Sequence, residues 1–252
     1  MRERSRYAPR MTAPVCLVTG ASRGLGAAIA RHLGSRGWAV GVGYHSGAEG
    51  ARGVVADIEA AGGRALAVPG DVTDEAEVER LLATAAQLGP VTAVVANATG
   101  PQPNADLVDL TWQAYLDQLR FFVLSPTLLV QGTLPAMREA GGGRVVLIGS
   151  DTVDRNLPGT SAYAAAKNAE LGLVRIWAKE LGSHRVTVNA VNPGWIPVER
   201  HSGADTAAYE ADVPLGRMGV PQDVAGAVAY LLSDDAAFVT GQVLTVNGGH
   251  VL

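Results

Sequence analysis

Seven short apolar runs punctuate the 252-residue chain, at 14–19, 38–43, 64–69, 91–96, 144–149, 185–191 and 242–246. Each is rich in Val, Ile, Leu or Ala and is bounded by Gly, Pro, Asn or Asp. Strands buried on both faces have this length and composition. Between the runs lie stretches of helical period, at 24–35, 50–61, 74–87, 111–139, 161–181 and 221–232. Strand–helix–strand repetition implies a doubly wound, seven-stranded parallel sheet with helices on both faces, a single-domain α/β Rossmann fold. No linker, internal repeat or low-complexity block interrupts 13–252, which is expected to form one domain. The segment 197–220 is the least regular, rich in Pro, Gly and charge, and is expected to be a loop over a substrate. Residues 1–12 carry Arg2, Arg4, Arg6 and Arg10 and are expected to be a mobile basic tail.

Composition narrows the function classes. Hydrophobic residues at 48% and charged residues at 17% supply a large core and argue against disorder. Aromatics at 5% make that core mainly aliphatic. A net charge of −4 argues against a nucleic-acid binder. The single cysteine, Cys16, lies in the apolar run Val15-Cys16-Leu17-Val18, so it forms no intrachain disulfide and reads as a buried core residue. No apolar stretch approaches the ~18 residues of a spanning helix, and the basic N-terminus lacks the apolar run of a secretory signal. A cytoplasmic location and no membrane partner are expected, and no metal ligands are assigned.

The first run leads into Thr19-Gly20-Ala21-Ser22-Arg23-Gly24-Leu25-Gly26, and a helical stretch follows. Glycines there permit a tight turn and close backbone approach to a pyrophosphate, and the helix N-terminus offers free N–H groups and a positive dipole end. Position after the first strand and before a helix is the context that gives such a loop its meaning. Further on, Tyr163 and Lys167 stand four residues apart in Ser161-Ala162-Tyr163-Ala164-Ala165-Ala166-Lys167, which puts both on one helix face. Ser150 lies thirteen residues before Tyr163, at the end of the fifth run, where open α/β sheets bind ligands.

These motifs resemble the short-chain dehydrogenase/reductase family in its compact one-domain form, over residues 13 to 252. The likeness is nearest to its branch of 3-oxoacyl-carrier-protein reductase-like enzymes. The resemblance implies hydride transfer between a nicotinamide cofactor and a carbonyl or alcohol carbon, with Ser150, Tyr163 and Lys167 as the catalytic residues. Ketone reduction needs a hydride and a proton for the developing alkoxide. A free tyrosine has a pKa of about 10, and a nearby ammonium and an oxidised nicotinamide both favour phenolate. Tyr163 is therefore the expected acid in reduction and base in oxidation. Ser150 is expected to hydrogen-bond the substrate oxygen, and Lys167 to hold the nicotinamide ribose as well.

The resemblance also implies a cofactor site of Gly20, Ser22, Arg23, Gly24, Leu25 and Gly26, with Tyr44, His45 and Ser46 at the end of the second strand. An NAD enzyme carries an acidic residue near that strand end for the ribose 2′-OH. Tyr44 stands there instead. Arg23 and Ser46 suit a 2′-phosphate, so NADP(H) is expected over NAD(H). Asp71 and Val72 are implied to hold the adenine, with a helix cap near Thr73 as the competing reading of Asp71. Asn97 and Ala98 are implied beside the cofactor ribose. Pro193, Gly194 and Ile196 are implied along the nicotinamide, where the family's usual Thr is Val198.

Two departures bear on turnover. Phe122 occupies the position of an Asn that the family uses in a water chain to the lysine. It is either a packing substitute or an apolar adaptation of the site. Together with Val198 it leaves open an alternative, an NADP-binding homologue with lost or altered redox chemistry. The stretch 151–157 is expected to wall the substrate pocket, with Phe122, Asp151 and Trp195 as pocket residues. Asp154, Arg155, Glu199, Arg200 and His201 are further polar candidates. The expected substrate is a small-molecule carbonyl or acyl thioester. The resemblance implies a homotetramer built through the C-terminal strand and the long helices, with a dimer as the second choice.

Overall fold

The computed structural model describes residues 13–102, 104–199 and 202–251. Its strands are β1 (Val15–Val18), β2 (Ala39–Tyr44), β3 (Arg64–Pro69), β4 (Val91–Ala96), β5 (Gly143–Ile148), β6 (Val186–Pro193) and β7 (Val243–Val246). All neighbouring pairs are parallel, and the order across the sheet is β3-β2-β1-β4-β5-β6-β7. Every strand bound falls within two residues of its apolar run. The strand order reverses between β1 and β4, and that switch point opens a crevice at the carboxyl ends of both strands.

The helices are α1 (Gly24–Ser35), α2 (Ala48–Ala60), α3 (Glu75–Ala85), α4 (Trp112–Leu119), α5 (Ser125–Glu139), α6 (Thr152–Arg155), α7 (Ser161–Leu181), α8 (Ala207–Ala211) and α9 (Pro221–Leu232). The stretch 111–139, expected as one helix, is two. A π-helical turn, Arg120–Leu124, separates α4 from α5, and the Ser125 N–H bonds back five residues to the Arg120 carbonyl. Pro126 follows at once. It lacks the N–H that would continue the regular ladder, so the chain takes a wider turn there. The short helix α8 lies in the segment expected to be a loop, and α6 in the stretch expected to wall the substrate pocket.

Side chains alternate across the sheet as strand geometry demands. Cys16 and Val18 face a core shared with α1, α2 and α9. Val15 and Leu17 face the opposite core, shared with α3, α5 and α7. Each fully buried Val or Leu contributes about 1.5–3 kcal/mol relative to exposure. Cys16 is fully buried, and burial pushes its thiol far up from the ordinary range. Among the described residues no helix is long and apolar enough to cross a membrane.

Candidate active site

The glycine loop leaves β1 at Thr19. Its amide donates to the Val95 carbonyl, and its Oγ1 accepts from the amides of Asn97 and Ala98 at 3.0 and 3.1 Å. One hydroxyl thus ties the end of β1 to the end of β4. Gly20 has φ +62° and Gly24 φ +55°, left-handed values that disfavour other residues. A Cβ on Gly20 would stand 2.9 Å from the Ala98 Cα, and one on Gly26 would run into the Gly20 carbonyl. The loop is therefore packed down to backbone on both sides. Arg23, in extended conformation before α1, supplies no capping side chain, and the first turn holds no acidic residue. The first N–H groups of α1 are left for an outside acceptor, with the helix dipole favouring an anion. This cradle fits a dinucleotide pyrophosphate.

Around the cradle, Ser22 sits where a Cβ on either Gly47 or Gly50 would strike it. Leu25 packs against the core of α1, α2 and α9. Tyr44 is half-buried against the same core, and its carbonyl accepts from the Gly70 amide, whereas Arg23, His45 and Ser46 are exposed. The side chains of Asn97 and Asp71 have partners within the protein, and of the two readings of Asp71 the helix cap is the one that does not hold. Asn97, expected against the ribose, spends its side-chain amide on the Thr19 and Gly20 carbonyls at 2.9 and 3.2 Å, so it holds the glycine loop. The Asp71 carboxylate accepts from both the amide and the hydroxyl of Thr73 at 2.8 Å, and Asp74 rather than Asp71 caps α3, through the Glu77 amide. Val72 is buried in the core of α3, α5 and α7.

Ser150 follows β5. Its Oγ donates to the Thr152 hydroxyl at 2.9 Å and accepts from the Thr152 amide at 3.2 Å. Helix α7 carries Tyr163, half-buried, and Lys167, 3% exposed. Lys167 Nζ donates to the Ile148 carbonyl at 2.6 Å and to Glu170 Oε2 at 2.8 Å. It also lies 3.6 Å from the centroid of the Phe122 ring, close enough for a cation–π contact. The Phe122 and Tyr163 rings meet edge to face at 5.5 Å. Phe122 is 2% exposed and held by the π-helical turn, so it packs on both catalytic candidates at once.

Sequence reasoning missed Glu170. It is 1% exposed, and burial pushes its carboxyl up to about 7 against the opposing pull of Lys167. The signal was available: position 170 lies three residues beyond Lys167, on the buried stripe that also carries Lys167, Leu171 and Val174.

After β6, the Gly194 amide bonds the Val246 carbonyl, and the Trp195 amide donates to the Tyr209 hydroxyl at 2.9 Å. Tyr209, from α8, meets the Trp195 ring edge-on at 5.5 Å and stacks on His250 at 4.1 Å, while Arg155 lies 5.1 Å from its centroid. The short helix α8 thus ties its part of the segment after β6 to Trp195. Ile196, Trp195 and Tyr209 border a cavity of about 240 Å³ that reaches Asn247 and Gly248. Asp151, expected on the pocket wall, is 2% exposed, and its amide bonds the Pro193 carbonyl. Burial raises its carboxyl, opposed by Arg155, Asn247 and His250. Glu199 and Val198 lie close to Gly24 of the loop. Arg200, His201 and residues 1–12 lie outside the described residues.

The family model described as Enoyl-(Acyl carrier protein) reductase matches residues 20–250. A 3-oxoacyl-[acyl-carrier-protein] reductase of Synechocystis is 36% identical over 246 residues, covering 96% of this chain and 98% of that protein. Among solved structures, a blue fluorescent protein from a metagenomic library, in complex with NADPH, superposes with a TM-score of 0.89 at 35% identity, covering 97% of this chain and 100% of that one. A 7α-hydroxysteroid dehydrogenase complexed with NADH and 7-oxo glycochenodeoxycholic acid gives 0.88 at 33% identity, with 95% of each chain covered.

Proposed function

The chain belongs to the short-chain dehydrogenase/reductase family of oxidoreductases, and from that premise we propose that it is an NADP(H)-dependent ketone reductase. The observation that carries this reading is the arrangement of Ser150, Tyr163 and Lys167. Ser150 stands at the carboxyl end of β5, and half-buried Tyr163 and buried Lys167 stand one turn apart on α7, at the same end of the sheet as the uncapped glycine loop. When bound, the nicotinamide supplies the hydride. Tyr163 gives its phenolic proton to the substrate oxygen as negative charge develops there. The Ser150 hydroxyl turns its single O–H from the Thr152 hydroxyl to the same oxygen, while still accepting from the Thr152 amide, and stabilises that charge. Lys167 places a positive charge one helical turn from Tyr163. In oxidation Tyr163 acts as the base.

For the cofactor, Tyr44 stands where an acidic residue would reject a 2′-phosphate, and exposed Arg23, His45 and Ser46 flank the place. This favours NADP(H). The relative that reduces 3-oxoacyl carrier protein supports a 3-oxoacyl or related carbonyl as substrate, and the steroid-bound neighbour supports a bulkier ring ketone. Among the described residues β7 is an edge strand, and with the exposed Leu107, Trp112 and Ile176 it supports self-association, which we read as a homotetramer. A second reading rests on Lys167, whose ammonium is committed to Glu170, Ile148 and Phe122: a cofactor-binding homologue with altered redox chemistry.

Titration with NADPH and NADH, followed by NADPH consumption against ketones and 3-oxoacyl thioesters, tests the proposal. Tighter NADPH binding with turnover of any carbonyl supports it. Binding with no turnover across the panel transfers the case to the second reading.

A further inference from the structure

Lys167 has three N–H bonds, and this protein supplies a partner in three directions: a carbonyl, a carboxylate and an aromatic face. The carboxylate is the unusual one. Glu170 is an ionisable group in the middle of a buried helix face, with almost no water contact. Isolated charges are rarely tolerated there, and a carboxyl responds by holding its proton. Whether Lys167 presents a whole positive charge to Tyr163 or one half of a neutral pair is then decided by the proton on Glu170.

We propose that Glu170 is a positioning residue for Lys167, holding its ammonium behind Phe122 and, by gaining or losing a proton, setting the net charge that Tyr163 faces. This rests on the reading of Tyr163 and Lys167 as the acid–base pair of a ketone reduction. With Glu170 ionised, the pair is neutral and Tyr163 keeps its proton more firmly, as an acid should. With Glu170 protonated, the ammonium is uncompensated and phenolate is favoured, as a base requires. Burial places the switch near neutrality, up to about 7.

Among the described residues Lys167 is the charged group that acts on Glu170. Of the other elements packed on α7, α6 carries Asp154 and Arg155, with Arg155 5.1 Å from the Tyr209 ring, α4 carries Tyr115, which stacks on Trp112, and the turn Gly182–His184 lies at the far end of α7. On α7, Lys167 and Tyr163 are the titratable side chains near Glu170. Strand β5 contributes the Ile148 carbonyl, and β6 (Val186–Pro193) contains no ionisable residue. The π-helical turn contributes the Phe122 ring, while its Arg120 is exposed and lies 3.8 Å from exposed Asp117 of α4. Helix α4 also buries the neutral amide Gln118, which donates to the Pro101 carbonyl.

The test reads Tyr163 directly and needs neither cofactor nor turnover. Tyrosinate absorbance is titrated in the wild type and in Glu170→Gln, each minus its Tyr163→Phe counterpart, which isolates one of six tyrosines. Glu170→Gln keeps an oxygen for Nζ but removes the negative charge. One unit charge several ångströms away, at an effective dielectric near 20, shifts a titration by about one pH unit. The Tyr163 titration should fall by about that much in Glu170→Gln and stay near wild type in Glu170→Asp. An unchanged or upward-moving titration overturns the proposal.

A second measurement avoids reliance on the Gln variant. Infrared spectra of Asp151→Asn, which removes the other buried carboxyl among the described residues, should show a protonated carboxyl band that disappears as pH rises through about 7. No such band means that Glu170 is ionised throughout and sinks the proposal. If Tyr163 shifts as expected but no carbonyl is turned over, the reductase reading fails and the role of Glu170 stands. Turnover with an unmoved Tyr163 does the reverse.

Discussion

Replacing Glu170 with Gln should make the protein more stable at pH 8 and leave it almost unchanged at pH 5. The carboxyl titrates at 4.5 when free and is pushed up to about 7 by burial in the fold. Below 4.5 both folded and unfolded chains hold the proton. Between 4.5 and 7 the unfolded chain has released it while the folded chain keeps it, so unfolding free energy falls as pH rises. Above 7 the full loss is in place. A difference of about 2.5 pH units, at about 1.36 kcal/mol each, amounts to about 3 kcal/mol. Gln is neutral and close in shape to the protonated acid, so it lacks this slope. Asp151, also raised by burial, is common to both proteins and drops out of the difference. The assay is urea unfolding of both proteins at pH 5, 6, 7 and 8, followed by tryptophan fluorescence. The opposing argument is that attraction at 2.8 Å outweighs desolvation. Removing one partner of a buried pair would then cost about 3–5 kcal/mol at pH 8. A Gln variant clearly less stable than wild type at pH 8 would refute the reasoning that burial wins.

Arg23→Ala should weaken NADPH binding at least tenfold and leave NADH nearly unchanged, measured by cofactor fluorescence. Equal losses would remove the 2′-phosphate role. Gly26→Ala should abolish binding of either cofactor, because its methyl group would meet the Gly20 carbonyl and the Asn97 amide; isothermal titration with wild-type affinity would show that the loop yields. Cys16 should resist thiol reagents in the folded protein and react only after unfolding, since the thiol is buried and pushed up in pKa. Stoichiometric labelling under native conditions would contradict the packing around β1.

The strands were legible because a parallel sheet covered on both faces calls for short, mainly apolar runs bounded by turn residues, whereas apolar runs such as 121–124 and 224–232 sit inside longer stretches of helical period. Helices α1, α7 and α9 end where their periodicity ends. The break between α4 and α5 was written as Pro126, but a proline near a helix start reads equally as an ordinary first-turn residue. The role of Asn97 was invisible because its partners are backbone carbonyls 77 and 78 residues away. Glu170 was overlooked because helical period marks where a side chain points and not what it meets there. The ring of Phe122 is brought over Lys167 by a π-helical turn, whose widened register the sequence pattern does not show. The short helix α8 carries the tyrosine that pins Trp195, in a segment whose Pro, Gly and charge content suggested only a loop.

The most direct test of the central claim follows the hydride itself. Wild type and Tyr163→Phe are incubated with NADPH deuterated at the transferring position of the nicotinamide and a panel of ketones and 3-oxoacyl thioesters, and products are read by mass spectrometry. Deuterium on the new carbinol carbon with wild type, and loss of at least 99% of that product with Tyr163→Phe at undiminished NADPH binding, is the expected result (a hundredfold is the lower end of a general acid's contribution). Labelled alcohol formed as fast by Tyr163→Phe would contradict the assignment of Tyr163 as the proton donor.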